Sequence, residues 1–191
     1  MIQEIIVTTT NEDGSTHIAP MGIREESELI VIAPFKPSAT LNNIQRNKSA
    51  VINRVDDVRI FAGCLTGHKD WPLVPAEKIK EHRLEAALSH IELGLESFED
   101  DGLRPRFYCK PIIEMNHKSF QGFNRAQSAV LEAAILVSRL DMLTEEKIGQ
   151  ELEYLTIAID KTAGENEKIA WGWLMEKIES YRQKPTKEKI A

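Results

Sequence analysis

The chain has 191 residues, 42% of them hydrophobic, which is enough for one sizeable core and an appended element. Its formal net charge of -6 argues against a general nucleic-acid or anionic-membrane binder. No apolar run approaches the length needed to span a bilayer, and "MIQEIIVTTTNEDG" lacks the basic-then-apolar pattern of a signal peptide. The two cysteines, Cys64 and Cys109, are too few for a disulfide framework, so a cytoplasmic chain with both thiols reduced is expected.

The first half reads as β structure. "EIIVTTT" (Glu4 to Thr10) is β-branched, and Asp13-Gly14 marks a hairpin turn into "THIAPMGI". "ELIVIAPF" (Glu28 to Phe35) predicts a third, central strand, "SAVINRV" (Ser49 to Val55) a fourth and "VRIFAGCL" (Val58 to Leu65) a fifth. "RFYCKPIIEMNH" (Arg106 to His117) predicts a sixth, interrupted at Pro111. Strands without regular intervening helices point to an antiparallel barrel or sandwich. Between them, "KPSATLNNIQRNKS" predicts a short helix with Ser38 as N-cap and Leu41 and Ile44 inward. After Pro75, Leu84, Leu88, Ile91, Leu95 and Phe98 recur at helical spacing and predict a longer helix.

The last third reads as helical. Asn124 with Gln127 three residues on has the capping-box pattern at the head of "NRAQSAVLEAAILVSRLDM". Thr144 opens a second helix with Ile148, Leu152, Leu155 and Ile159 as its apolar face. A third carries Ile169, Trp173, Leu174, Ile178 and Tyr181, and the charged tail "QKPTKEKIA" is expected to be loose.

Nucleotide-loop, zinc-protease, hydrolase and C-x-x-C motifs are absent. Cys64, His68 and Asp70 lie close together, but the second ligand pair of a structural zinc site is missing, and no metal is expected. No carboxylate pair stands out for acid–base work, so any hard chemistry would fall to a cofactor. Two stretches suit one. Pro20-Met21-Gly22 interrupts a strand, as a ligand lying against a sheet requires and as an ordinary edge strand or bulge also would. Lys36, Ser38 and Thr40 crowd a strand-to-helix turn, which suits a phosphate and equally suits simple capping.

In this order, "TTTNEDGSTHIAPMG" and "FKPSATLNNIQRNKSAVIN" resemble the opening hairpin and the phosphate-binding turn of the FMN-binding split-barrel superfamily, which includes the flavin reductases. Within it, "GFNRAQSAVLEAAILVSRLDML" resembles a small uncharacterised family known from methanogenic archaea and from bacteria with tetrahydromethanopterin-linked one-carbon pathways. The resemblance implies an α+β fold: a six-stranded antiparallel split barrel over residues 1–120, with a helical insertion at about 76–99, and a helical subdomain over 121–185. It implies a homodimer with FMN near the subunit interface, and no nucleic-acid or membrane partner. Met21, Gly22 and Ile23 would line the flavin ring through their backbone, Lys36, Ser38 and Thr40 would hold the phosphate with Asn43 nearby, and Asn53 would touch the ring. Asn124 reads as an N-cap, and Arg125 as either a surface charge or a bidentate phosphate donor. The function expected is an FMN-dependent oxidoreductase acting on a small cytoplasmic substrate, with a pterin-like compound as one candidate. The alternative is a non-catalytic flavin-binding or assembly protein whose helices serve a partner.

Overall fold

The computed structural model describes residues 1–183; most of the charged tail expected to be loose lies outside the described residues. The chain divides into two units, Met1–Asp56 with Asp70–Phe120, and Asp57–Lys69 with the segment from Gln121 onward.

The first unit is a closed antiparallel barrel. Strands β1 (Ile2–Thr10) and β2 (Thr16–Glu26) form a hairpin, followed by β3 (Leu29–Ile32), helix α1 (Ala39–Asn47) and β4 (Ser49–Arg54). The hairpin turn is set as its composition predicts: Asn11 O accepts from Gly14 N–H, Gly14 takes a positive φ of 84°, and the Asp13 carboxylate accepts from Ser15 N–H. After an excursion into the second unit the chain returns through a small hairpin, β5 (Leu73–Pro75) and β6 (His82–Leu84). It then completes the barrel with β7 (Ser89–Glu99) and β8 (Arg106–Asn116). The order around the barrel is β1-β2-β3-β8-β7-β4. Its core holds Ile5, Val7, Ile23, Ile32, Ile44, Ile52, Ile91, Leu93 and Phe107.

The six-strand count agrees with the expectation, but its membership does not. Residues 58–65 are not a strand. They form helix α2 (Arg59–Thr66), initiated by Asp57, whose carboxylate accepts from Arg59 N–H, and closed by Gly67 at φ 95°. Val58, Ala62 and Leu65 share one face of this helix and join the core of the second unit. A short β-branched run without a partner of period two cannot be told from a helix by composition, and packing decides it.

The helical insertion expected over about 76–99 is not helical and instead carries β6 and β7. Ile91, Leu93 and Leu95 alternate onto the barrel core, while His90 and Glu92 between them are fully buried on the other face. Two buried ionisable groups in the strand disguised its period of two, and the helical spacing of Leu84, Leu88, Ile91, Leu95 and Phe98 was fortuitous. Strand β8 runs unbroken past Pro111, which sits opposite Leu93 beside a register shift that absorbs its missing donor.

The second unit packs α2 with α3 (Arg125–Val137), α4 (Glu145–Thr162) and α5 (Glu165–Arg182) around Val130, Ala133, Ile148, Leu155, Ile159, Leu174 and Ile178. Asn124 caps α3 by accepting from Ala126 N–H at 2.7 Å, and its amide donates to Thr162 O at 3.1 Å. Gln127 donates to Glu167 at 3.3 Å. Thr144 caps α4, and the Glu167 carboxylate accepts from Gly164 N–H at the start of α5. Among the described residues no helix is long and apolar enough to cross a membrane.

Candidate functional site

The question raised by a proline and a glycine in β2 is answered by strand pairing. β2 pairs with β1 from Thr16 to Arg24, but with β3 only from Ile23 to Glu26. The stretch from Thr16 to Gly22 therefore has a strand on one side only. Every second backbone N–H and C=O along an antiparallel edge of this kind points outward. Pro20 lies within that edge, where its missing N–H removes no ladder bond on the open side.

Side chains of β2 alternate across the barrel wall. Ile23 is fully buried in the core and the half-buried Met21 packs against it, so neither side chain is turned outward. Ile23 is also flanked by strands on both sides, opposite Gln3 and Ile32, and its backbone is absorbed in the ladder. Of the predicted trio, Met21 and Gly22 lie on the open edge and Ile23 does not. Gly22 has a local reason as well: a Cβ there would meet Ile2 Cγ2 at 2.9 Å, so the bare α-carbon accommodates the neighbouring strand.

The chain leaves β3 at Ile32, opposite Ile23, so the turn to α1 begins beside the open edge. α1 packs against β1, β2 and β4. Ser38 is its N-cap and accepts from Leu41 N–H at 3.3 Å, and no acidic residue occupies the first turn. The helix end thus keeps its positive dipole and further unpaired amides. Thr40 is buried, and its hydroxyl has no hydrogen-bond partner among the described residues. Such an orphan is costly unless something satisfies it.

The hairpin loop joining β7 to β8 folds over this turn. Lys36 N–H donates to Leu103 O at 3.1 Å, and Lys36 Nζ donates to the Asp100 carboxylate. Arg104 places its guanidinium 4.4 Å above the Phe35 ring and donates to Ala33 O. Hydrogen bonding from the Lys36 ammonium, helped by the Gly102 N–H, holds the Asp100 carboxyl below the usual carboxylate range. Both partners are substantially exposed, so the pair contributes little stability and is readily exchanged for another anion. Arg104 was invisible in the sequence pattern because it lies 71 residues from the carbonyl it binds.

The remaining predicted residues have structural employment. Asn43 donates to Thr9 Oγ1 at 3.0 Å and Asn11 Oδ1 at 2.8 Å, and its carbonyl accepts from Arg46 at 2.8 Å, fastening α1 to the end of β1. Asn53 has no exposed surface. Its amide donates to Thr8 Oγ1 at 3.1 Å and Ile6 O at 3.3 Å, and its carbonyl accepts from Leu84 N–H at 2.7 Å. Asn53, expected to touch a flavin ring, ties β1, β4 and β6 together, with its amide and its carbonyl both engaged within the wall. Asn124 and Arg125 belong to the helical unit, the first as the N-cap of α3, the second exposed beside it.

The Cys64, His68, Asp70 group does not converge. Burial pushes the Cys64 thiol up to about 11, and the His68 ring stacks on Trp173 with centroids 4.0 Å apart. Among the described residues no group of three or more His, Cys, Asp or Glu is placed to hold a metal ion.

Comparison with known structures places the fold. A crystal structure of an FMN-bound protein from Methanosarcina mazei, assigned to DUF447, is 24% identical, covers 92% of this chain and 94% of its own, and superposes with a TM-score of 0.79. The 2-nitrobenzoate 2-nitroreductase NbaA of Pseudomonas fluorescens matches with 23% identity over 60% of this chain and 64% of its own, at a TM-score of 0.53. The flavoredoxin of Desulfovibrio vulgaris matches with 14% identity over 61% and 70%, at 0.52. The barrel thus shares its fold with these structures. No curated protein sequence matches the chain. Residues 3–118 match the model of the N-terminal domain of the protein of unknown function DUF447, and residues 124–176 match the remainder of that family's model. This chain belongs to the DUF447 family.

Proposed function

We propose that this protein binds FMN and acts, as a cytoplasmic homodimer, as a flavin-dependent oxidoreductase on a small substrate, with a pterin-like compound of one-carbon metabolism as one candidate class. The observation that carries the reading is the juxtaposition of an open β2 edge with an α1 N-terminus whose first turn holds no acidic residue, on a fold similar over 92% of the chain to an FMN-bound member of the family.

The donor set fits the group. Lys36 and Arg104 supply positive charge, Ser38 and the α1 amides supply hydrogen bonds, and the unpaired Thr40 hydroxyl is a donor in need of an acceptor. A dianionic phosphate competing with Asp100 for Lys36 would meet all of them. Along the Met21–Gly22 edge, every second residue turns its amide and carbonyl outward, which suits the polar edge of a flat ring. When bound, FMN would supply the redox chemistry, and the residues of this chain would bind, orient and shield it. The homodimer rests on exposed apolar side chains on each unit: Phe35, Phe98 and Leu103 on the barrel, Met142, Tyr154 and Ile157 on the helices.

The purified protein is expected to be yellow and to release FMN on acid treatment. Lys36→Ala combined with Ser38→Ala should weaken FMN by well over tenfold while leaving riboflavin nearly unchanged, since each charge-assisted bond contributes about 1.5–3 kcal/mol. Equal losses for both ligands would move the phosphate elsewhere, and absence of binding at micromolar FMN would refute the reading. Sedimentation at twice 21.6 kDa supports the dimer, and a monomer that holds FMN tightly refutes it.

A further inference from the structure

His90 and Glu92 stand on the outer face of β7, opposite the core-facing Ile91 and Leu93, and both are fully buried. Buried ionisable groups require partners. The Glu92 carboxylate accepts from the backbone N–H groups of Glu77, Lys78 and Ile79 at 2.5, 2.8 and 3.1 Å, and lies 3.2 Å from His90 Nε2. Burial works to raise its carboxyl, but the amides of Glu77 and Lys78 and the His90 N–H outweigh it and hold the group ionised.

A charged acceptor at one end fixes the tautomers along the chain. His90 Nε2 must donate to Glu92, so Nδ1 of the neutral ring must accept. That Nδ1 lies 2.8 Å from His117 Nε2. The two rings are within 9° of parallel with centroids 5.0 Å apart, which together with the short N···N distance sets them edge to edge. His117 therefore donates from Nε2 and keeps a lone pair on Nδ1. Among the described residues Nδ1 has no hydrogen-bond partner, and His117 is only half-buried. Burial first, then the positive charges of Arg83 and Lys118, favour the neutral His117 ring, with Glu77 opposing. Arg83, on β6, donates to Leu84 O at 3.2 Å and leaves a buried Nε without a partner among the described residues.

We infer that Glu92, His90 and His117 form a proton relay whose working end is His117 Nδ1, and that it serves a small anionic ligand carrying an exchangeable proton, drawn in by Arg83 and Lys118. The ligand's X–H bond breaks with its electron pair left on the ligand, and an N–H bond forms at His117 Nδ1. The His117 Nε2 proton passes to His90 Nδ1, and the resulting imidazolium lies against the Glu92 carboxylate. Glu92 and His90 are positioning residues; His117 alone meets the ligand. The relay does not depend on flavin binding. His90, Asn53, Ile6 and Pro20 lie on one row of the barrel, so three strand spacings, roughly 14 Å, separate it from the open β2 edge.

Histidine ¹⁵N spectroscopy on the full chain tests it. His117 should be neutral at pH 7 with its proton on Nε2, and His90 should carry a proton on the Nε2 that faces Glu92. Glu92→Gln should lower the His117 protonation midpoint by about one pH unit, because the offsetting charge is gone. Inorganic phosphate should shift the His117 signals saturably, and Arg83→Ala should weaken that binding roughly tenfold. A proton on His117 Nδ1 in the wild type, or a midpoint unchanged in folded Glu92→Gln protein, overturns the relay. If that variant does not fold, the wild-type tautomer decides alone. Phosphate that produces no saturable shift overturns the ligand assignment.

Discussion

Asn53→Leu separates a wall residue from a ligand residue. Leucine keeps the branching of the side chain but removes the amide. Leu84 N–H, now bonded at 2.7 Å to the Asn53 carbonyl, would be left buried without an acceptor, which costs about 1–3 kcal/mol. The bonds to Thr8 Oγ1 at 3.1 Å and Ile6 O at 3.3 Å are also lost. Thr8 keeps its own donation to His82 O at 2.6 Å, so this second loss adds only about 1 kcal/mol. The total is about 2–4 kcal/mol, and with a urea dependence of about 2 kcal/mol per molar the midpoint should fall by roughly 1–2 M. FMN affinity, measured by fluorescence titration well below that midpoint, should change less than about threefold, since one pKd unit corresponds to 1.4 kcal/mol. A variant with wild-type unfolding and lost FMN binding would refute the structural reading of Asn53.

Thr40→Val removes a hydroxyl that is unpaired among the described residues, so the ligand-free protein should be as stable as wild type or slightly more so, while FMN binding weakens; a clear loss of ligand-free stability would show that the hydroxyl is already satisfied. Gly63→Ala puts a Cβ 2.3 Å from the His68 carbonyl oxygen, a backbone atom at the end of α2. The overlap should cost about 1–3 kcal/mol despite alanine's better helix propensity, and an unchanged melting temperature would contradict the close approach. The Glu92 carboxyl titrates lower in the folded chain than in the unfolded one. Its stabilisation is therefore complete above the ordinary glutamate range, near pH 4.3, and is lost as pH falls through the depressed value. Denaturation midpoints between pH 6 and 3 should fall less steeply in Glu92→Gln than in wild type, and parallel curves would refute the assignment. Cys109, pushed up to about 12 by burial, should resist thiol reagents at pH 8 until the chain unfolds, and fast labelling of the native protein would show that it opens.

Local chemistry was enough to read much of this molecule. The Asp13-Gly14 turn, the Ser38, Asn124 and Thr144 caps and the apolar faces of α4 and α5 follow from neighbours a few residues away, and the sequence pattern identified them together with Lys36, Ser38 and Thr40 at one turn. What the pattern could not decide is whatever depends on pairing at long range. Residues 58–65 became a helix because Val58, Ala62 and Leu65 found a helical core. Residues 89–99 became a strand because β4 and β8 bracket them and because backbone amides and a second histidine satisfy Glu92 and His90. Asn53 was assigned to the ring by its place along the chain, while its burial was set by Leu84, 31 residues on. Arg104 and Asp100 reach the Lys36 turn only through the β7–β8 hairpin. Periodicity reports which face of a segment is apolar. It carries no record of which distant amide, carboxylate or strand edge will meet the other face, and in this chain that meeting decides which polar residues are spent on the wall and which stay open to a ligand.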